Sequence, residues 1–434
     1  MQTKKLGRSL NDPQLNAQIH PLRFLDNHTN LIYLGIDLLT TSLVVGGTAA
    51  LIHYRAEWGI SWFLLVPIVI VSIFLIGACQ HRFAGIGHEA SHYTFLKNRV
   101  LNELLSDLLC MFPLLTTTEI YRQMHLAHHE HTNDWERDPE ILNVAKSRGM
   151  DDFPMSARQF FKRFGLALFW PPTLIRYNWD MLYVASFGNA THTYRISAAE
   201  PRYAGKSFLN CRPATFLGMA YLALMATVIG LIGFFGTAWQ LALAPVALLA
   251  AAGLVAWKLP SAWFLQSRIR PVYSTKLSGV LRLGYFTFLQ TAISAVQLTT
   301  GQDIAIFFWL LWILPMATTF PYLMLIRDLV QHANADDGKL TNSRVVFCNP
   351  IIRWAMFVYG QDAHLTHHLY PAVPHYNLPA LHRLLKAQNA EYAAHVVECH
   401  GLIVKRRPDA PTGIEVLQLP TCEPADEAVE FASS

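Results

Sequence analysis

The stretch LRLGYFTFLQTAISAVQ, Leu281–Gln297, reads either as a weak membrane crossing or as a helix lying flat, and the choice sets the topology of the whole chain. It overlaps a candidate span from Val280 to Ala295, whose apolar run Arg282 and Gln290 interrupt. Five cleaner candidates surround it: Leu31 to Ile52, Ile60 to Cys79, Phe216 to Phe235, Trp239 to Trp257 and Ala305 to Ile326. A helix needs about 20 apolar residues to cross the hydrocarbon core of a bilayer. Composition agrees, because the 434 residues are 52% hydrophobic and only 15% charged, against about 25% charged in a typical soluble domain. The sequence therefore predicts an all-α integral membrane protein with about four to six transmembrane helices.

Charge placement favours six. With six crossings, the loop HYRAEWG (residues 53–59), a link near Gly236 and TTGQD (299–303) share one side and hold one arginine, Arg55. On the other side fall Lys4, Lys5, Arg8, Arg23, the stretch 82–212, Lys258, Arg268, Arg270, Lys276 and everything after Arg327. The positive-inside rule makes that side cytoplasmic and puts both termini there. Were Leu281–Gln297 flat, the chain after Ile326 would face the opposite side from residues 81–212. The resulting layout is a cytosolic segment 1–30, a membrane domain 31–407 with a cytosolic helical cap, and a Pro-, Ala- and acid-rich tail 408–434 expected to be disordered. The first thirty residues are polar and lack a signal-peptide core. Phe164 to Tyr183, aromatic-rich and broken by Pro171 and Pro172, is expected at the membrane interface.

A net charge of +4 is too small to suggest nucleic-acid binding. The six cysteines, Cys79, Cys110, Cys211, Cys348, Cys399 and Cys422, form no C-x-x-C pair, which argues against an iron–sulfur cluster or a zinc ribbon. No GxGxxG follows a strand-like run, so any electrons must come from another protein.

Histidine is where the sequence becomes specific. GHEASH carries His88 and His92, HLAHH carries His125, His128 and His129, and HLTHH carries His364, His367 and His368. Residues i, i+3 and i+4 share one helix face, so each HxxHH aims three imidazoles at one point. Neutral imidazole is a good ligand for iron, zinc and copper. Six crossings put all three clusters on the cytoplasmic side, where they can share a site. A ninth candidate, His332, closes the last span. Glu89, Asp138, Glu140, Asp328 and Asp362 lie near the clusters and can accept the other ring N–H of a ligating histidine. His131 and His375 sit beside clusters but off the pattern, and are expected to support ligands or face solvent. His20, His28, His53 and His400 are assigned no part, and Asn133 and Tyr370 no defined one.

The order HExxH, HxxHH with a following D-P-E, then HxxHH-x-Y-P resembles the membrane fatty acid desaturase family, over about Leu31 to Leu385. The resemblance implies two irons held by His88, His92, His125, His128, His129, His332, His364, His367 and His368 on the cytosolic face, His332 matching the family's extra histidine. It also implies dioxygen as co-substrate, a lipid or fatty acyl substrate, and electrons from a ferredoxin or cytochrome b5. No H-P-G-G occurs, so the donor is expected to be a separate protein. His364 stands where front-end desaturases usually carry Gln, which argues against that subgroup. The implied reaction abstracts hydrogen from an unactivated C–H bond to leave an alkene, or an alcohol in a hydroxylase or carotenoid ketolase on the same core. Two rivals remain. One is an intramembrane zinc protease built on His88-Glu89-x-x-His92 with its third ligand near Asp336, Asp337 and Gly338; the other is a metal transporter.

Overall fold

The computed structural model describes residues 7–188, 206 and 211–418, and their regular structure is almost entirely helical. Lys4, Lys5, Cys422 and residues 419–434 lie outside the described residues. The elements that place the site are α1 (Thr29–His53), α2 (Trp62–Ser91), α3 (Thr118–Glu130), α4 (Pro139–Arg148), α5 (Pro171–Leu182), α6 (Pro213–Phe235), α7 (Ala238–Lys258) and α8 (Thr275–Thr300). After them come α9 (Ala305–His332), α10 (His364–Leu369) and α11 (Leu378–Gln388), with one short parallel pair, β1 (Val345–Phe347) and β2 (Glu398–His400).

Five helices, α1, α2, α6, α7 and α9, are long and apolar enough to cross a membrane. The sequence reading favoured six, and the difference lies in Leu281–Gln297. That stretch forms α8, whose 26 residues span about 39 Å, but its polar side chains keep its hydropathy below that of the others. Those side chains face protein. α8 packs along both α6 and α7, the Tyr221 and Thr287 hydroxyls meet at 2.6 Å, and a Cβ added at Gly233 of α6 would stand 2.8 Å from Ser294 Cβ.

α2 is 30 residues, about 45 Å, which exceeds a hydrocarbon core of about 30 Å. One apolar helix therefore continues beyond a span to carry the first histidine cluster. Arg82 on α2 donates to Asp37 of α1 at 2.5 Å, both buried. On its other side α2 meets α9 at Gly77, where an added Cβ would stand 2.0 Å from Thr319 Oγ1. α9 is broken at Thr318, whose φ of −128° and ψ of −79° leave the helical region. Pro321 has no N–H to offer the Ala317 carbonyl one turn earlier, and Asn178 of α5 takes that carbonyl instead at 2.7 Å.

The longest helix in the stretch Phe164 to Tyr183 is the 12-residue α5, too short to cross. Its Phe169, Trp170 and Ile175 are 78%, 65% and 66% exposed. One expectation is corrected: the segment after Arg407 is ordered as far as Gln418. Its apolar residues repay ordering, because Ile414, Val416 and Leu417 are buried against Leu329 and Val330 of α9.

Candidate metal centre

Local structure aims each histidine. α2 ends at Ser91, leaving His88 in its last turn and His92 just beyond it. α3 is capped by Thr117, whose hydroxyl accepts the Ile120 N–H at 3.1 Å, and its last two turns carry His125, His128 and His129. α10 is six residues long and holds the third cluster, and His332 is the last residue of α9. These ends converge in the cap, outside the apolar spans.

The nine histidines form two groups. His88, His92, His125, His129 and His367 make one; His128, His332, His364 and His368 make the other, with ligand nitrogens inside each lying within 4.8 Å of one another. In the first, His129 Nε2 is 3.0 Å from His125 Nε2 and 3.1 Å from His367 Nε2. In the second, His364 Nε2 is 2.8 Å from His332 Nε2 and 3.1 Å from His368 Nε2. The groups adjoin, the His129 and His368 rings stacking at 4.2 Å.

The protons decide what these contacts mean. His332 Nδ1 lies 3.1 Å from the Asn342 carbonyl, which can only accept, so Nδ1 carries the hydrogen. Thr132 donates its one hydroxyl hydrogen to the His128 carbonyl at 2.9 Å, so at 3.0 Å it accepts from His368 Nδ1. Both His332 Nε2 and His368 Nε2 are therefore bare, and both face His364 Nε2. That atom can hold only one hydrogen, so at least one pair meets lone pair to lone pair. A cation removes the conflict. Two nitrogens about 2.1 Å from one ion and at right angles to each other are about 3 Å apart, the spacing found here. The residues fit a metal.

Electrostatics agree for most of the ring set. Burial, then the neighbouring imidazoles, push His125, His129, His367 and His368 well below the ordinary histidine range, which keeps them neutral with lone pairs free. His128 goes the other way. Burial opposes its charge, but Asp138 and Glu140 outweigh it and raise it to about 9; a bound cation would take the place of that proton.

The expected supporting acids divide. Asp138 accepts from His128 Nδ1 at 2.9 Å and from the Asn133 N–H at 3.0 Å. Glu89 lies 3.5 Å from His88 Nδ1 and accepts from Thr94 and the His375 N–H, both at 3.0 Å. Glu140 and Asp328 instead meet Arg148, at 2.9 and 3.0 Å, and Asp362 meets Arg353 at 2.8 Å. His375 supports the site, with Nε2 2.8 Å from Asn30 Oδ1, whereas His131 lies outside both groups, nearest Glu130. Tyr370 donates to the Leu10 carbonyl at 3.3 Å and ties down the N-terminal segment. Two partners escaped the sequence reading: Thr132 and the Asn342 carbonyl. The protease alternative loses its third ligand, since Asp336 accepts from Gly338 and Thr341 in its own loop and joins neither group.

The sequence profile of the family described as Fatty acid desaturase matches residues 60–288 and 259–400. The chain belongs to the fatty acid desaturase family. Among its relatives, the dihydrorhizobitoxine desaturase of Bradyrhizobium elkanii is 28% identical over 182 residues, 42% of each chain. The sn-1 oleoyl-lipid 12-desaturase of Picosynechococcus sp. is 27% identical over 168 residues, 36% of this chain and 45% of the relative. The sn-1 oleoyl-lipid 12-desaturase of Anabaena variabilis is 29% identical over 125 residues, 27% and 34% of the two chains. These matches span less than half the length of each relative. The family match covers all nine histidines of the two groups.

Proposed function

We propose that this desaturase-family chain is a membrane-bound lipid desaturase, acting on a fatty acyl chain with two irons, dioxygen and electrons from a separate ferredoxin or cytochrome b5. The observation that carries the reading is the pairing of bare Nε2 atoms about His364, which a bound cation relieves. His88, His92, His125, His129 and His367 would hold one iron and His128, His332, His364 and His368 the other. Held there, the irons supply the oxygen-activating chemistry needed to remove hydrogen from an unactivated C–H bond.

The chain's own part is placement. Asp138, Thr132 and the Asn342 carbonyl hold the outer N–H of His128, His368 and His332, so that each ring presents Nε2 inward. Burial of the set limits water, which keeps a reactive centre for a C–H bond brought to it. All nine residues serve the same cytosol-facing cap, the side that a soluble or membrane-attached electron donor reaches.

The test expresses the wild type and His129→Ala in a host with a compatible reductase and compares total lipids by mass spectrometry, with metal analysis of the purified proteins. Products lighter by two hydrogens with the wild type alone, and two irons per chain, are expected. Products heavier by one oxygen would make the same centre a hydroxylase. An active His129→Ala variant, or one zinc per chain, would overturn the proposal.

A further inference from the structure

A pair of buried cations lies apart from the metal centre. Arg212, at the N-terminus of α6, is 8% exposed. Its Nη2 donates to the Ser186 carbonyl at 2.6 Å, while its buried Nη1 has no hydrogen-bond partner among the described residues. Arg282 on α8 donates to the Leu115 carbonyl at 3.4 Å, the long limit of a hydrogen bond. Among the described residues neither arginine is within ion-pair distance of a carboxylate, although Asp107 offsets part of the burial cost of Arg282, and the two repel: burial first, then the charge of Arg282, push Arg212 down to about 10. Nearby acids are committed. Glu119 accepts from Arg122 at 2.6 Å, Gln123 at 2.7 Å and Ser267 at 2.5 Å. Asp107 accepts from the Thr118 N–H and the Tyr273 hydroxyl. An unpaired buried guanidinium is costly unless an anion joins it.

Both arginines line a cavity of about 420 Å³ between α6, α7, α8 and the first turn of α3. The size is that of a small-molecule site. On α6 its wall runs from Ala214 to Leu224, about 16 Å from the charged end toward the middle of the helix. The rest is mostly apolar, apart from Glu119, which Arg122 already holds, and a few hydroxyls such as Ser278, and Leu217, Leu224 and Val255, at 42%, 54% and 50% exposed, open it outward. Two buried cations at one end of an apolar slot match a molecule with one anionic head and a hydrocarbon chain.

We propose that this cavity binds an anionic lipid, with its phosphate or carboxylate between Arg212 and Arg282 and its chain in the slot between α6, α7 and α8. The site stands beside the helix that carries His125, since Ile120 forms part of its wall and the adjoining Tyr121 stacks on His125 at 5.1 Å. The assignment does not depend on desaturation.

Full-length protein in neutral detergent, followed by thermal unfolding, separates the possibilities. Phosphatidylglycerol or palmitate should raise the midpoint saturably, because a ligand that binds only the folded state stabilises it. A response to phosphatidylglycerol alone assigns the phosphate, and to palmitate alone the carboxylate. Arg212→Gln and Arg282→Gln should each weaken the response at least tenfold, Arg212→Lys should restore part of it, and iron content should not change. Ala252→Trp, which fills the slot and leaves both charges, should also abolish the response and covers a misfolded arginine variant. Equal stabilisation by phosphatidylcholine, full stabilisation by inorganic phosphate, or unaltered responses in the Gln and Trp variants would overturn the proposal.

Discussion

Asp138 shows how little separates a ligand from a bystander in this chain. Its Oδ2 accepts from His128 Nδ1 and from the Asn133 N–H, while the Asn133 side chain donates to the Asn342 carbonyl at 3.0 Å, which also takes His332 Nδ1. Two rings of the four-histidine group are thus oriented through one knot. Asp138→Asn should lower metal affinity at that group by about 10- to 100-fold and bring the chain toward one iron, read by metal analysis after dialysis. Unchanged occupancy would deny Asp138 that role. The gathering of eight of the nine histidines was legible because i, i+3, i+4 spacing is a periodic signal, and that of His332 because it ends a span beside the others. Thr132 was not, because its contact with His368 joins residues 236 apart and a hydroxyl leaves no pattern. Glu140, Asp328 and Asp362 misled for a related reason: closeness in sequence to a histidine did not outweigh an arginine closer in space.

Between elements, the crossing of α2 and α9 fixes where the two apolar helices that bear site histidines end. Gly77 allows it: an added Cβ would lie 2.0 Å from Thr319 Oγ1 and 2.8 Å from the Phe320 nitrogen. Thr319 also donates to the Ile73 carbonyl at 2.9 Å, locking the helices in register. Small residues at such crossings let backbones approach where lipid gives no hydrophobic drive. Gly77→Leu should cost about 1–3 kcal/mol or more and release iron from the group containing His332. Gly46→Leu on α1, with nothing within 4 Å of its added Cβ, should leave thermal midpoint and iron content as in the wild type. Equal behaviour of the two variants would remove the crossing from the account. Helix identities were readable from apolar runs, but the Gly77 contact and the break at Thr318 were not, since both depend on what lies across from them. The ordered stretch 412–417 was missed likewise, its few apolar residues being diluted by Pro, Asp and Glu until Leu329 and Val330 supplied a surface for them.

For the molecule as a whole, the site imposes a rule on crossings. The ends of α2 and α9 meet in one centre, through His88 and His92 on one side and His332 on the other, in adjoining groups. Between those ends lie α6, α7, α8 and α9, so an even number of them must cross. Three are apolar enough by themselves, namely α6, α7 and α9. An odd three would put His332 on the far side of the bilayer from His128, which lies beside it with ring centroids 4.9 Å apart. If those three cross, parity requires α8 to cross as well, with Thr287 turned against Tyr221 of α6. Charge agrees, because the loops at 53–59 and 299–303 hold one Lys or Arg while the cap holds many. Gln302→Cys and Glu57→Cys should both react with a membrane-impermeant maleimide from the outside of intact cells, above the wild-type background. Arg270→Cys should react only after the membrane is opened. If Gln302→Cys instead behaved like Arg270→Cys, α8 would not cross, and the convergence of His332 with His128 could not survive in a membrane.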